Sequence, residues 1–219
     1  MVRDGYLFGA ALFAVAAIVW FTTHMAVLAA VPVVLACFFL WFFRDPSRTV
    51  PTAPGLIVSP ADGKVEQAEV IETEAGPRAR ITIFLNVFNV HVNRVPAGGT
   101  VELVEYKEGK YLNAMRPDSA VLNEQTMIAI NTGDYVVVFK QIAGLLARRI
   151  VCNLQAGDRV VRGQRMGLIK FGSRTDVLLP PSAALRVKPG DHVKGGSSIL
   201  AAMPAESLSG LEPVDGQIG

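Results

Sequence analysis

A mainly β protein is predicted, a β-rich sandwich domain carried behind an N-terminal hydrophobic helical hairpin. Three observations predict it. The long uncharged apolar runs all precede residue 44; after Pro51 the chain breaks into short β-branched runs punctuated by Gly, Pro and Asp; and a nine-residue pattern occurs twice in the second half.

The hairpin comes first. Tyr6 to Phe21 and Ala26 to Phe43 contain no charged side chain, and each is close to the lower limit of about 17–25 residues needed to span hydrocarbon. Thr22, Thr23 and His24 between them suit a tight turn, and Trp20, Trp41 and Phe43 lie where interfacial aromatics sit. A cleaved secretory signal ending near Val27-Leu28-Ala29 is disfavoured, because the apolar sequence continues well past it. Arg3 on one flank and Arg44 and Arg48 on the other place both ends on the cytoplasmic side of a cell membrane. Pro32 either kinks the second helix or starts it, and the sequence leaves both open. The expected division is a membrane-associated hairpin, 1–44, and a domain, 45–219, on the cytoplasmic side.

Strands are expected at Gly63 to Val65, Ala79 to Val95, Thr100 to Tyr106, Thr126 to Ile130, Tyr135 to Lys140, Arg149 to Leu154, Met166 to Phe171 and Asp176 to Leu179, with one weakly helical stretch at Gln141 to Arg148. The repeated pattern, G-D-x-V-x-x-G, covers Ala156 to Gln164 and again Pro189 to Ser197. Each copy reads as turn, short strand, turn, with Gly supplying positive φ and Asp capping. The pair resembles half-motifs of the barrel-sandwich hybrid folds of lipoyl and biotinyl carriers. No lysine sits at a suitable hairpin tip, so the likeness concerns fold and not carrier function.

Several functions are excluded early. A net charge of +2 without any run of like charges argues against nucleic acid. Cys37 and Cys152 lack C-x-x-C neighbours, and three scattered histidines cannot readily supply a metal site, so no metal is expected.

Chemistry is sought at Gly172-Ser173, between two apolar β-type runs. A serine acts as nucleophile only with a base and something to hold the developing oxyanion, and no G-x-S-x-G elbow is present. His91 is the informative base: in Val87 to Val95, strand alternation places Asn89, His91 and Asn93 on one face. A merely solvated face reads equally well. Asp62, in S-P-A-D-G-K, is on its own an ordinary turn residue, and Ser173 on its own an ordinary loop residue.

Taken together, the segments resemble a known family. F-F-R-D-P at Phe42 to Pro46, S-P-A-D-G-K-V at Ser59 to Val65, F-L-N-V-F-N-V-H-V-N-R-V-P at Phe84 to Pro96, G-K-Y-L-N-A at Gly109 to Ala114, A-R-R-I at Ala147 to Ile150 and F-G-S-R at Phe171 to Arg174 are similar, in order, to bacterial phosphatidylserine decarboxylases of the short, type A-like form. The resemblance implies a self-processing proenzyme, cleaved between Gly172 and Ser173, whose Ser173 becomes a covalent pyruvoyl cofactor. That group then forms a Schiff base with phosphatidylserine in the membrane and yields phosphatidylethanolamine. It implies catalytic roles for Asp62, His91 and Ser173, and two chains that stay associated after cleavage; the oligomeric state is left open. One departure stands out. Longer members carry H-x-x-H-x-P, whereas Arg94 occupies the second histidine's place, and an arginine is no base near neutral pH. Either His91 serves both cleavage and decarboxylation or another group has taken one role. Arg94, Arg148, Arg149 and Arg174 are candidate phosphate contacts. The alternatives are a pyruvoyl decarboxylase of a soluble amino acid, which leaves the hairpin unexplained, and a membrane-tethered binding module without catalysis, which would never split into two chains.

Overall fold

The computed structural model describes residues 2–74, 76–116, 118–145, 149–169 and 172–204. Two helices open it, α1 (Arg3–Thr23) and α2 (Ala26–Phe42). Their alanine- and leucine-rich runs favour helix, and α1 stops where His24 turns left-handed (φ 54°) and donates its N–H to Trp20 O at 2.9 Å. Thr23 Oγ1 then accepts from Met25 N at 3.2 Å, closing the hairpin. The helices pack through Phe8, whose ring lies 5.3 Å from that of Phe39 and 6.0 Å from that of Phe43. Pro32 is inside α2, which runs through it. Leu7, Ile18, Phe21, Val27, Val31 and Val34 remain exposed, an apolar surface that water would not tolerate. By length and composition α1 can cross a membrane; α2 is also apolar but, at 17 residues, shorter.

The rest is β-rich. Among the described residues the strands are, in chain order, β1 (Leu56–Val58), β2 (Gly63–Thr73), β3 (Gly76–Leu85), β4 (Val92–Arg94), β5 (Gly99–Lys107), β6 (Gln125–Asn131), β7 (Val136–Ile142), β8 (Ile150–Cys152), β9 (Arg159–Val160), β10 (Arg165–Ile169), β11 (Ser173–Leu179), β12 (Ala184–Leu185), β13 (His192–Val193) and β14 (Ile199–Ala202). One short helix, α3 (Ser119–Leu122), precedes β6. Eight strands make one antiparallel sheet in the order β13-β2-β3-β11-β7-β6-β5-β9, and two three-stranded sheets, β1-β14-β12 and β4-β10-β8, accompany it. The main core gathers Ile81 and Ile83 of β3, Ile128 and Ile130 of β6, Val137 and Phe139 of β7, Val177 and Leu179 of β11, and Met166 of β10. Alternate residues of each strand point to this side, as a half-buried sheet requires.

The repeated G-D-x-V-x-x-G segments occupy equivalent places. One supplies β9 and the other β13, the two edges of the large sheet. Gly157 N and Gly190 N donate to Val101 O and Val65 O, and Asp158 O and Asp191 O accept from the same two residues, all at 2.8 Å. The Asp carboxylates cap both turns, taking N–H groups from Gln155 and Lys188. Each copy thus seals one edge that would otherwise present unpaired backbone.

Two expectations need correction. Ala79 to Val95 is not one strand: Asn86 Oδ1 accepts from Phe88 N at 2.8 Å and Asn89 Oδ1 from Asn86 N at 2.9 Å. These side-chain bonds replace the ladder, so β3 stops at Leu85 and β4 begins at Val92. The helical reading of Gln141 to Arg148 fails as well, since Gln141 and Ile142 continue β7, held on both sides by β6 and β11. A ladder on both edges outweighs a weak helical preference. Residues 146–148 lie outside the described residues.

Candidate active site

Ser173 is the first residue of β11, the strand held between β3 and β7, and it pairs with Leu85. Alternation places Ser173 and Thr175 on one face and Arg174 and Asp176 on the other. Ser173 is fully buried, and its Oγ has no hydrogen-bond partner among the described residues; Thr175 Oγ1 shares that condition. A buried polar atom left so costs about 1–3 kcal/mol, which a sheet interior rarely carries without a use. Gly172, just ahead, has φ +57°, a left-handed conformation that disfavours any side chain. A Cβ there would meet nothing within 4 Å outside its chain neighbours. Backbone conformation therefore favours glycine at 172.

His91 ends the Asn86 turn and is buried, 2% exposed, not solvated. Its carbonyl accepts from Ile169 N at 3.3 Å, which ties it to β10, the strand leading towards Gly172-Ser173. Phe42, the last residue of α2 and itself fully buried, lies over the imidazole with ring centroids 4.3 Å apart. Burial pushes the His91 pKa down from 6.5 to about 4, the Asn89 backbone opposes this, and the nearby Arg44 guanidinium adds to it. At neutral pH the ring is uncharged and able to accept a proton. From β7 of the large sheet, Gln141 Nε2 donates to Asn93 Oδ1 of β4 at 2.9 Å, both residues fully buried.

Asp62 is held by other groups. Arg48 Nη2 reaches its two oxygens at 2.9 and 2.8 Å, and Gly195 N donates to Oδ1 at 2.8 Å. The electrostatic link to His91 is Arg44, which feels the Asp62 charge and in turn depresses the His91 pKa. Arg44 stacks 4.0 Å above the Trp41 ring and donates to Phe88 O at 2.6 Å, joining the end of α2 to the turn that carries His91.

The other arginines divide clearly. Arg94, in the place of a second histidine, is buried and donates to Asp45 Oδ1 at 2.9 Å, Pro46 O at 3.1 Å and Gly163 O at 3.1 Å. It fastens the F-R-D-P segment to the domain. Arg174 is buried on the sheet face opposite Ser173, bidentate to Asp176 at 2.7 and 2.8 Å. Both guanidiniums are engaged by internal partners, and Arg174 also lines a cavity with Thr82, Phe84 and Ala114. Arg149 is exposed, and Arg148 lies outside the described residues.

Sequence reasoning missed two contributors. Phe42 was visible only as part of F-F-R-D-P, without a role. Asn123 was not singled out, although it organises the G-K-Y-L-N-A segment: its Nδ2 donates to Leu112 O at 2.9 Å and Ala143 O at 2.7 Å, and its Oδ1 accepts from Leu112 N at 2.9 Å. Tyr111 O–H donates to Glu124 beside it.

Comparison with known proteins shows the family. The family model for phosphatidylserine decarboxylase matches residues 35–201. The chain is 49% identical over 203 residues to a phosphatidylserine decarboxylase proenzyme of Solibacter usitatus, covering 92% of this chain and 96% of that one. It is 46% identical over 206 residues to the proenzyme of Symbiobacterium thermophilum, with coverages of 92% and 95%. To that of Chlorobium chlorochromatii it is 48% identical over 170 residues, 77% of this chain and 80% of the other.

Proposed function

The chain belongs to the phosphatidylserine decarboxylase family, and from that premise we propose that it is a self-processing proenzyme. It cuts itself between Gly172 and Ser173, converts Ser173 to a pyruvoyl group and decarboxylates phosphatidylserine to phosphatidylethanolamine. The observation that carries this reading is a fully buried Ser173 hydroxyl without a partner among the described residues, directly after a left-handed glycine.

Ser173 Oγ adds to the Gly172 carbonyl carbon; the C–N bond breaks as nitrogen takes a proton, and the amide becomes an ester. His91, neutral at physiological pH, takes the Ser173 α-proton. The electron pair forms a Cα–Cβ double bond and the Cβ–Oγ bond breaks, leaving Gly172 as the carboxylate end of residues 1–172. The new amino-terminal dehydroalanine tautomerises to an imine, and water releases ammonia from it. The residues around Ser173 suit such a group, because apolar Leu85 and Ile83 stand on the same face of the neighbouring strand and keep bulk water away. The pyruvoyl group would supply a ketone able to condense with the substrate amine and a sink for the electrons left by departing CO₂. His91 would take up a proton that the substrate ammonium sheds before condensing and pass it to the substrate carbon; a ring with so low a pKa yields its proton readily once charged. Asp62, clamped by Arg48, acts on His91 through Arg44 and is a positioning residue.

The two chains stay together on this reading. Residues 173–204 contribute β11, seated between β3 and β7, β13 on β2, and β14 on β1. The hairpin, 1–44, sets the domain, 45–219, on the cytoplasmic face, where phosphatidylserine reaches the site along the end of α2. A denaturing gel with intact mass tests the reading: two chains, 1–172 and 173–219, the smaller with a blocked amino terminus, are expected together with CO₂ release from phosphatidylserine. A single uncleaved chain that still releases CO₂ would refute it.

A further inference from the structure

The scissile carbonyl rests against a second glycine on another strand's extension. Gly144 lies two residues past the end of β7 and is buried, and a Cβ built on it would stand 1.8 Å from Gly172 O, 2.9 Å from Gly172 C and 3.3 Å from Ala114 Cβ. Real Cβ atoms essentially never come closer than 3.0 Å. No positive φ explains the glycine, since Gly144 is not among the residues with one. Space for the Gly172 carbonyl is what it provides.

The seat is fixed from behind. Ala143 N donates to Glu124 O at 2.9 Å and Ala143 O accepts from Asn123 Nδ2 at 2.7 Å, so both backbone groups next to Gly144 are pinned. On the other side, Ser173 is paired with Leu85, and Arg174 with Phe84 and Ile142, so the strand behind the scissile bond cannot retreat either. Two rigid backbones meet at one carbonyl oxygen, and that oxygen gathers negative charge when Ser173 Oγ adds to the carbon.

We propose that Gly144 is a positioning residue for self-cleavage: its bare Cα seats the Gly172 carbonyl in the orientation that Ser173 attacks, and Asn123 holds the seat in place. This rests on the cleavage site proposed above. The role ends with cleavage, because the Gly172 carboxylate is then a free chain end and no longer has to fit against Gly144. A methyl group at 144 must displace the carbonyl by more than an ångström, and a misplacement of that size costs roughly 10²-fold in rate.

The test is Gly144→Ala in the full chain, followed from synthesis on denaturing gels, with hydroxylamine added to a parallel sample to cut any ester that has formed. Cleavage is expected to slow by about 10²-fold or more, with no hydroxylamine-sensitive chain, because the block precedes the ester. Turnover per pyruvoyl in whatever fraction matures should fall by less than about tenfold. Wild-type cleavage kinetics in the variant would overturn the proposal; so would a loss of turnover equal to the loss of cleavage, which marks a general structural defect. If Gly144→Ala does not fold, Asn123→Ala decides: slowed cleavage with turnover per pyruvoyl largely kept supports the seat, and unchanged cleavage refutes it. A wild-type chain that never splits would instead sink the cleavage reading itself.

Discussion

Replacing Phe42, the last residue of α2, by alanine removes the ring that covers His91. Phe42 is fully buried, and its ring is 4.3 Å from that of His91. Truncating a buried phenylalanine costs about 3–5 kcal/mol, and here the cavity opens beside an imidazole whose pKa is held near 4 chiefly by burial. Water entering that space moves the pKa back towards 6.5, by as much as about two units if most of the burial is lost. At pH 5 a group of pKa 4 is about nine-tenths neutral, and one of pKa 6 about one-tenth, so the base form falls roughly tenfold. Cleavage of the wild-type chain should then be nearly flat from pH 8 to about 5, whereas Phe42→Ala should lose rate progressively below about pH 6.5. Pulse-labelled protein sampled over time at each pH gives the profiles, and the imidazole resonances of His91 in a Ser173→Ala background give the pKa directly. Phe42→Leu, which keeps apolar volume, should fall between. Superimposable pH profiles for wild type and Phe42→Ala, with an unmoved His91 resonance, would refute the reasoning. The same contact bears on truncation. The sequence suggests that a domain freed of residues 1–43 still cleaves itself, yet this removes Phe42 and Phe43, both buried against Leu168, so a truncation that keeps them should mature far better than one that begins at Arg44.

Ser173→Ala should give one uncleaved chain without decarboxylase activity, read by intact mass. His91→Ala should block cleavage, and protein that matures slowly over days should turn over roughly 10²-fold more slowly; near-normal turnover would confine His91 to maturation. His91 also makes the fold acid-sensitive: neutral in the folded chain down to about pH 4, it takes a proton in the unfolded chain from about pH 6.5. The unfolded state therefore binds more protons between those values, and stability present above pH 6.5 falls by up to about 3 kcal/mol as pH drops to 4. Chemical denaturation of Ser173→Ala with and without His91→Gln should show that share disappear. Arg94→Ala should lower stability by about 1–3 kcal/mol by leaving the buried Asp45 carboxylate with Arg165 as its remaining ion-pair partner, measured as a shift in the denaturation midpoint.

How much of this was legible in the sequence depended on whether the determinant was local. The helical hairpin and the turn, short strand, turn pattern of the two G-D-x-V-x-x-G segments are legible in contiguous residues because hydrophobic runs and turn chemistry act over short range, whereas their place at the two sheet edges is not. Asn86 and Asn89 broke the expected strand through side-chain bonds that composition does not reveal. Gln141 and Ile142 stayed in β7 because strands distant in sequence flank them. At the site, resemblance pointed to Ser173 and His91, but the burial of His91 had no local signal: V-F-N-V-H-V-N-R-V reads as a half-polar strand. The helix end that covers it lies about fifty residues earlier. Asn123, Gly144 and Gly172 come from three separate segments, and only the fold brings them to one carbonyl.

That convergence suits a chain that uses one site for two unlike reactions in succession. Self-cleavage happens once and needs a rigid peptide, a pinned carbonyl and an unengaged hydroxyl, features that each cost stability while the precursor persists. On the proposed reading cutting the chain frees the Gly172 end and consumes the Ser173 hydroxyl, while the pairing of β11 with β3 and β7 does not depend on that bond. Decarboxylation, repeated many times, then needs an open approach for a lipid and a base that loads and unloads a proton. On the proposed reading His91 can serve both stages, because the groups around it lie away from the scissile bond. Phe42 and Arg44 reach it from the membrane helix, and Ile169 N holds its carbonyl from β10. The maturation parts can therefore be spent without disturbing the parts that act afterwards.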